Sequence, residues 1–194
     1  MDIKTEKTRA RVQAKARRQA AVQTDDPLRA AVDLMAHFPA SRFRGQTIGG
    51  IWPLSGEIDI RPLQAALYAQ GHALSLPCTP RKGRPLIFRS WTPDNLLKAG
   101  PYGTREPYPH ETEVFPKLVL VPLLAFTMSG ERLGYGGGFY DRTLAALREF
   151  HKKAGTDIFA CGVAFAAQET AHIPTDVYDV RLDGILTENY FKAF

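Results

Sequence analysis

Cysteine and histidine are scarce in this chain, and neither is spaced for metal binding. The 194 residues include two cysteines, Cys78 and Cys161, which lie far apart and form no CxxC pair. Two cysteines are too few for a cysteine zinc site, and this arrangement argues against a disulfide scaffold. The five histidines never stand four residues apart, and no HExxH motif occurs. The sequence therefore predicts no histidine metal site.

Long apolar runs are also missing. The longest, residues 118–126, has nine residues and contains Pro122, whereas a membrane-spanning helix needs about 20. No apolar stretch follows the charged N-terminus, so no secretory signal is predicted. We expect a cytoplasmic protein without a membrane partner. The composition, 44% hydrophobic and 23% charged, is typical of a globular chain, and its length predicts a single domain over residues 1–194. We expect this domain to be a monomer.

Positive charge is concentrated in the first 18 residues. They hold seven basic and two acidic residues, an excess of five that equals the net charge of the whole chain. The rest of the chain is therefore neutral, which argues against a nucleic-acid partner. Five of the basic residues are spaced to share one helical face: Lys4, Lys7, Arg11, Lys15 and Arg18. Spacing alone leaves three uses open for this basic face, namely a solvated surface, a nucleic-acid contact and an anion clamp.

The apolar pattern predicts strands that alternate with helices. Strands are predicted over residues 47–52, 73–76 (stopped by Pro77), 84–91, 117–126, 158–165 and 184–187. Helices are predicted from Asp26 to about Phe38, from after Asp59 to Gln70, and through Leu144 and Leu147, whereas the proline-rich residues 92–116 predict a loop. The expected fold is a mostly parallel central sheet with helices on both faces, a three-layer α/β/α sandwich.

A glycine-rich segment follows the most apolar predicted strand and leads into a helix. Gly136–Gly138 would let a phosphate chain approach the backbone N–H groups, and the helix offers its positive N-terminal end to the same anion. Arg132 and Arg142 flank this loop, and Asp141 could hold a metal ion. The alternative is a flexible turn. The loop has no Walker lysine, and Phe139 occupies the last position of a GxGxxG fingerprint, so it matches neither common phosphate loop.

The same segment, with the strand before it, resembles the hallmark region of the 5-formyltetrahydrofolate cyclo-ligase family. The resemblance rests on Leu118-Val-Leu-Val-Pro122, Ala125-Phe126 and Arg132-Leu-Gly-Tyr-Gly-Gly-Gly-Phe-Tyr-Asp-Arg142. Other segments are similar to the family in the same order: Lys7 with Arg11 and Arg17, Glu57-Ile-Asp59 with Pro62-Leu63, residues 102–107, residues 162–165, Gln168, Pro174, Asp179 and Thr187-Glu188.

The resemblance implies an enzyme that uses ATP and Mg²⁺ to convert 5-formyltetrahydrofolate into 5,10-methenyltetrahydrofolate. It implies that Lys7 and Arg11 clamp the ATP phosphates, and that Trp52 and Glu57 meet the folate. Since Lys7 and Arg11 lie on the basic face, we also expect them to be exposed in the free protein. The expected ATP contacts continue along the loop: Arg132, Leu133, Gly134, Tyr135, Gly136, Gly137, Gly138, Phe139 and Tyr140. Residues 135–139 are also expected to face the folate. Lys7, Arg132 and Tyr140 are the expected catalytic residues, and Asp141 and Asp179 the expected metal ligands.

Five positions depart from the family pattern. Thr127 stands where an aspartate is usual, Tyr178 where a histidine is common, Thr104 where an isoleucine is usual, and Leu123-Leu124 where a glycine-containing pair is usual. These departures leave an alternative open: a non-catalytic relative that binds folate and ATP, or an ATP-dependent enzyme for another pterin-like substrate.

Overall fold

A computed structural model describes residues 2–24 and 26–194. Its helices are α1 (Ile3–Thr24), α2 (Pro27–His37), α3 (Arg61–Ala69) and α4 (Phe139–Lys153), with short 3₁₀ segments at Ala40–Phe43, Pro101–Gly103 and Ala166–Gln168. Its strands are β1 (Ile48–Gly49), β2 (Leu74–Cys78), β3 (Ile87–Trp91), β4 (Lys98–Ala99), β5 (Arg105–Glu106), β6 (Leu118–Pro122), β7 (Ala125–Phe126), β8 (Arg132–Leu133), β9 (Phe159–Val163), β10 (Gly184–Leu186) and β11 (Phe191–Ala193).

Seven of these strands form a central sheet in the order β11-β10-β9-β6-β1-β2-β3. The five inner strands are parallel to one another, and only the edge strands β3 and β11 run antiparallel. The expected mostly parallel sheet is therefore confirmed. Strands β4 and β5 form one separate two-stranded sheet, and β7 and β8 form another.

The central strand β6 shows how both faces of the sheet are covered. Its residues point alternately to opposite sides. Leu118 and Leu120 belong to the core that contains residues of α2 and α3, whereas Val119 and Val121 pack in the core formed with α4. All four side chains are fully buried. This two-sided burial explains the continuous apolar sequence of the strand and confirms the three-layer arrangement.

Helix α1 packs against the β7–β8 hairpin. Its Ala14 lies in a small core with Leu124, Leu133 and Ile173, and the helix also contacts the 3₁₀ segment after β9. Within the described residues no helix is long and apolar enough to cross a membrane. The helix predicted from Asp26 is present as α2, where the Ala30 N–H donates to the Asp26 carbonyl at 2.9 Å.

Four strand predictions were clearly wrong in their bounds. The strand predicted over residues 47–52 is only Ile48–Gly49, and the one predicted over residues 84–91 begins at Ile87. The predicted strand over residues 117–126 is divided, because Pro122 ends β6 and the chain turns away before β7 pairs with β8. Strand β2 continues through Pro77, which was expected to stop it. It can do so because β1 pairs only with Leu74 and Ser75, so that at Pro77 the strand has β3 as its single paired neighbour. A proline lacks the N–H that a second neighbour would require.

Strand β8 lies in the segment that was predicted as a glycine-rich loop, and two further regions also contain strands that the sequence did not predict. The proline-rich residues 92–116 hold the short β4–β5 pair around a 3₁₀ turn. Strand β11 at the C-terminus pairs with β10. Both are short edge elements formed by pairing with neighbours, which local sequence patterns indicate poorly.

Candidate active site

The expected site residues lie beyond the carboxyl ends of the central parallel strands. Strand β1 leads to Trp52 and Glu57, and the neighbouring strand β6 leads through the β7–β8 hairpin to the glycine loop, residues 134–138. Strand β9, on the other side of β6, leads to the segment that contacts α1. This edge of a parallel sheet is where α/β proteins bind ligands.

The glycine loop has a backbone conformation that side chains would oppose. Gly136 and Gly138 have φ angles of +95° and +66°, in the left-handed region that favours glycine. Gly138 is the N-cap residue of α4, so the loop runs directly into the positive end of that helix. The Arg142 side chain folds back and donates from Nη2 to the Gly137 carbonyl at 2.8 Å.

Helix α1 lies over this loop through Arg11. Its Nε donates to the Gly134 carbonyl at 3.0 Å. A Cβ atom on Gly136 would lie 3.2 Å from the Arg11 guanidinium carbon. The guanidinium is therefore in contact with the loop backbone, and the expectation that it is exposed in the free protein was wrong.

Lys7 is also held by the protein. Its Nζ lies 2.7 Å from Asp176 Oδ2 and 2.5 Å from Asp179 Oδ2, and its side chain is 11% exposed. The expected exposure of Lys7 was therefore wrong as well. Partial burial works to lower the pKa of Lys7, but the hydrogen bonds with both carboxylates outweigh it and raise the pKa. The same contact with Lys7 lowers the pKa of Asp176. The ammonium group therefore stays charged at the edge of the site.

Glu57, Tyr135 and Arg18 form a contact group that joins three segments of the chain. The Tyr135 hydroxyl donates to Glu57 Oε1 and accepts a hydrogen bond from Arg18 Nη1. The Arg18 and Glu57 side chains are only 12% and 7% exposed, and Arg18 Nη1 lies 3.9 Å from Glu57 Oε1. The second carboxylate oxygen, Oε2, accepts the Leu54 N–H at 2.7 Å. Glu57 is thus a buried acceptor at the point where helix α1 and the glycine loop meet.

Burial dominates the protonation behaviour of this group. It raises the pKa of Glu57, although the hydrogen bonds from Tyr135 and Leu54 and the Arg18 charge act in the opposite direction. The pKa of Tyr135 is raised chiefly by burial and then by the Glu57 charge. The pKa of Tyr140 is likewise raised, mainly by burial, with Glu57 and Arg132 among its charged neighbours. Both tyrosines keep their protons near neutral pH.

Arg132 and Asp141 form an ion pair below the loop. The Arg132 side chain is 5% exposed, and its Nη2 donates to Asp141 Oδ1. The same carboxylate oxygen accepts the Val180 N–H at 3.2 Å, which brings Asp141 close to the segment that carries Asp179. Arg132 Nη1 is buried and has no hydrogen-bond partner among the described residues. A buried guanidinium with an unpaired donor is costly, and an anion next to it would satisfy that donor.

The other expected site residues differ in what their side chains contact. Trp52 packs partly against the core, with the Arg61 guanidinium carbon 5.5 Å from its ring centre. Phe139 is half-buried, with the Arg142 guanidinium 5.4 Å from its ring centre. The Leu133 side chain is buried in the small core under α1, so only its backbone can serve a ligand.

Two site residues were missed in the sequence. Arg18 was recognised only as a member of the basic face, where its position on the face of Lys7 and Arg11 was the signal that could have found it. Asp176 carried no comparable signal, because its place beside Lys7 depends on the turn in which its backbone N–H donates to Asp179 Oδ2.

Two of the residues that depart from the family pattern, Thr127 and Tyr178, have local contacts in the structure. Thr127 is buried at the start of the β7–β8 turn, where its hydroxyl donates to the Glu131 carboxylate. Tyr178 is 81% exposed, and its backbone N–H donates to Asp176 Oδ1 at 2.8 Å. Neither side chain contacts the glycine loop in these interactions.

The acidic residues of the site fit Mg²⁺ held mostly by phosphate oxygens. In the described part of the chain no three His, Cys, Asp or Glu side chains are grouped to hold a metal ion. Mg²⁺ commonly uses one or two protein carboxylates together with substrate phosphates and water. Asp141, in the first turn of α4, and Asp179, next to Val180, supply two such carboxylates near the loop. The donor set therefore suits a metal that arrives with a nucleotide.

The fold is that of an α/β protein, and the candidate ligand site lies at its glycine loop, beyond the carboxyl ends of the parallel strands. Residues 3–188 match the 5-formyltetrahydrofolate cyclo-ligase family, so the chain belongs to that family and to its class of enzymes, the ligases. The 5-formyltetrahydrofolate cyclo-ligase of Haemophilus influenzae is 32% identical over 74% of this chain and 76% of its own length. The enzyme of that name from Escherichia coli is 29% identical over 81% of this chain and 85% of its own length.

Solved structures share the fold. The NMR structure of Aquifex aeolicus 5,10-methenyltetrahydrofolate synthetase superimposes with a TM-score of 0.73 at 23% identity, covering 96% of this chain and 92% of that one. The Mycoplasma pneumoniae 5,10-methenyltetrahydrofolate synthetase superimposes with a TM-score of 0.68 at 19% identity, covering 97% and 99%. At sequence identities this low, the superpositions show that the fold is shared and nothing more.

Proposed function

We propose that the chain catalyses the ATP-dependent cyclisation of 5-formyltetrahydrofolate to 5,10-methenyltetrahydrofolate, with release of ADP and phosphate. Family membership and the names of the relatives support the substrate and the product. The glycine loop and the cationic groups around it support ATP as the second substrate.

The chemistry explains why a phosphoryl donor is needed. A formamide carbonyl is a weak electrophile because the adjacent nitrogen donates electrons into it. In the first step the formyl oxygen attacks the γ-phosphorus of ATP and ADP leaves, so that the oxygen becomes part of a leaving group. In the second step N10 attacks the formyl carbon and loses its proton, and the C–O bond breaks to release phosphate. The protein has to align the two substrates and offset phosphate charge.

The phosphate site is built from backbone and cationic groups. The N-terminus of α4 and the loop glycines face the anion, with Arg132, Arg11 and Lys7 around them. Arg132 Nη1, which has no hydrogen-bond partner in the described part of the chain, is a donor that a phosphate oxygen can satisfy. The Lys7 side chain has to move when ATP binds, because its ammonium group must leave Asp176 or Asp179 to contact a phosphate. Asp141 and Asp179 would hold Mg²⁺, which offsets charge on the phosphate oxygens when bound.

The folate site is built around Glu57. Its buried carboxylate would accept hydrogen bonds from the N–H groups of the pterin, and Trp52 would contact the ring system. The Tyr140 hydroxyl lies near Glu57 and Arg132, between the proposed pterin and phosphate positions. It keeps its proton and can donate to the formyl oxygen or the transferred phosphoryl group.

One observation carries the proposal. The Tyr135 hydroxyl links Arg18 of helix α1 to Glu57, so that the proposed folate acceptor and the proposed phosphate loop are in direct contact. This contact puts the two binding regions next to each other, as transfer between ATP and the formyl group requires.

The experiment is to mix the protein, MgATP and 5-formyltetrahydrofolate and to follow the near-ultraviolet absorption of the methenyl product. Product should appear only when both substrates are present, with one ADP formed per methenyl group. Absorbance that rises without ATP, or ATP hydrolysis without methenyl product, would contradict the proposed reaction. The second result would favour another pterin-like substrate.

A nucleic-acid-binding role has less support. Four cationic side chains of α1 already contact other parts of the protein: Lys7, Arg11, Arg17 and Arg18. This use of the basic face, together with the neutral remainder of the chain, fits an anion clamp that belongs to the site. We also propose that the protein works as a monomer in the cytoplasm on small-molecule substrates.

A further inference from the structure

The Tyr135 hydroxyl lies between a group that accepts hydrogen bonds and a group that donates them. It donates to the Glu57 carboxylate and accepts from the Arg18 guanidinium. Both partners are almost completely buried. Tyr135 as a residue is 41% exposed, but its hydroxyl end lies between these two buried groups. The arrangement therefore consists of a fixed acidic and basic pair with the Tyr135 hydroxyl between them.

A pterin presents the same pair of groups on one edge. Its 2-amino group and N3–H are donors, and the adjacent C4 carbonyl is an acceptor. The N3–H and O4 atoms are neighbours, and together they can replace a single hydroxyl that donates to one partner and accepts from the other. The Glu57 carboxylate matches the donors, and Arg18, whose Nη1 lies 3.9 Å from that carboxylate, matches the acceptor.

We propose that Arg18 is a substrate-specificity residue that recognises the 4-oxo group of the pterin, and that Tyr135 holds its place in the free protein. The proposal rests on the proposed folate-binding function of Glu57 and extends it to a second residue. When the pterin binds, the Tyr135 hydroxyl leaves, Glu57 accepts the N3–H and the 2-amino group, and Arg18 donates to O4.

The loop has the freedom that this exchange requires. Tyr135 lies between Gly134 and Gly136. A Cβ atom added to Gly134 would meet no described atom within 4 Å, and Gly136 has a positive φ. A side chain flanked by two glycines can swing away with little steric resistance. Arg18 and Glu57 are carried by different segments, helix α1 and the loop after β1, so the pair remains when Tyr135 moves.

Two ligands that differ at position 4 test Arg18. The 4-amino compound also lacks the N3–H, so the effect of each substitution is measured separately for each ligand and the two effects are then compared. Binding of 5-formyltetrahydrofolate and of its 4-amino counterpart, 5-formyltetrahydroaminopterin, is measured by calorimetry without ATP. The wild type should prefer the 4-oxo ligand. Arg18→Met should weaken 4-oxo binding by about 10- to 100-fold, the loss expected for a charge-assisted hydrogen bond, and should leave 4-amino binding within about threefold. Arg18→Lys should restore part of the preference.

The control is Arg9→Met, which removes an exposed arginine from the same helix and should keep the wild-type preference. Equal weakening of both ligands in Arg18→Met would mean that Arg18 acts only on the Glu57 charge, and unchanged binding would mean that it has no role. Either result overturns the assignment. If the wild type binds neither ligand, the proposed function itself fails, which is a separate outcome.

Tyr135→Phe tests the exchange. Phenylalanine keeps the ring but lacks the two hydrogen bonds that hold Tyr135 between Glu57 and Arg18. The side chain is then easier to displace, so 5-formyltetrahydrofolate should bind at least as tightly as in the wild type, with the 4-oxo preference retained. A loss of about tenfold or more in a variant with unchanged thermal unfolding would show that the hydroxyl contacts the ligand, and this part of the proposal would be wrong.

Discussion

At the residue scale, the site depends on charged side chains that already have partners in the free protein. Lys7 forms ion pairs with two aspartates, and Arg132 forms an ion pair with Asp141. Such contacts keep flexible side chains near the position where a ligand needs them, at the cost of an exchange when the ligand binds. Substitutions at these positions therefore change both binding and stability.

The Lys7→Ala variant should bind ATP about 10- to 100-fold more weakly, because it loses a charge-assisted contact to phosphate worth about 1.5–3 kcal/mol. Arg11→Ala should behave similarly. Calorimetry with ATP and with 5-formyltetrahydrofolate separates the effects, since folate binding should hardly change. Lys4→Ala, at an exposed position of the same helix, serves as control. ATP affinity that stays at the wild-type level in both variants would return the basic face to a solvated surface.

The Lys7 contacts also predict a pH dependence. Lys7 lowers the pKa of Asp176 below its ordinary value of 3.8, so the pair contributes stability above that pH and loses it as the pH falls through the native pKa. Thermal unfolding of the wild type and Lys7→Ala should therefore differ at pH 7 and converge in acid below pH 3.8. A difference that stays constant down to that range would show that packing, and not the ion pair, stabilises this contact.

Asp141→Asn tests the proposed metal role against a structural one. The buried Arg132 loses its charged partner, so stability should fall by about 1–3 kcal/mol. If Asp141 also holds Mg²⁺, the variant should require far more Mg²⁺ and lose much of its turnover. Glu149→Gln, at an exposed position of the same helix, is the control. A magnesium titration that superimposes on the wild-type curve would leave Asp141 with the structural role alone.

At the scale of elements, the junction between the glycine loop and α4 is the critical one. The left-handed Gly138 turns the chain into the helix, and Gly136 passes under the Arg11 guanidinium. Backbone groups there can approach an anion closely because no Cβ atoms intervene. The same absence of side chains makes this segment sensitive to substitution.

Gly137→Val should abolish turnover and leave the fold intact. A Cβ at this position would lie 2.9 Å from the Phe139 ring, and a branched side chain would fill space proposed for phosphate. Gly155→Ala offers a contrast at the other end of α4, where φ is +68° and no atom lies near the added Cβ. It should lose about 1 kcal/mol of stability and keep its activity. Near-normal turnover in Gly137→Val would place the phosphates elsewhere.

At the scale of the whole molecule, the position of the site depends on the packing of helices on both faces of the sheet. Leu120 of the central strand is fully buried in the core shared with α2 and α3. Leu120→Ala should therefore cost about 2–5 kcal/mol and lower the melting temperature by several degrees in differential scanning calorimetry. Leu96→Ala, at a side chain that is 82% exposed, should change it little. Equal effects of the two substitutions would contradict this account of the core.

The sequence by itself determined the class of fold and the family, and it predicted the candidate site residues. It did so because burial leaves an apolar pattern, continuous in β6 and periodic in α4, and because a cluster of glycines such as residues 136–138 is a distinctive local feature. The basic face of α1 could also be predicted from the sequence, because helical spacing depends only on positions that are close together in the chain.

Only the tertiary structure decided how these residues are paired. The division of residues 117–126 between two sheets depends on the hairpin that β7 forms with β8. The contacts of Lys7 with Asp176, and of Arg18 with Tyr135, join residues that are more than 100 positions apart. Contacts between residues so far apart in the sequence depend on how whole helices and loops pack against the sheet. They therefore cannot be predicted from local sequence patterns.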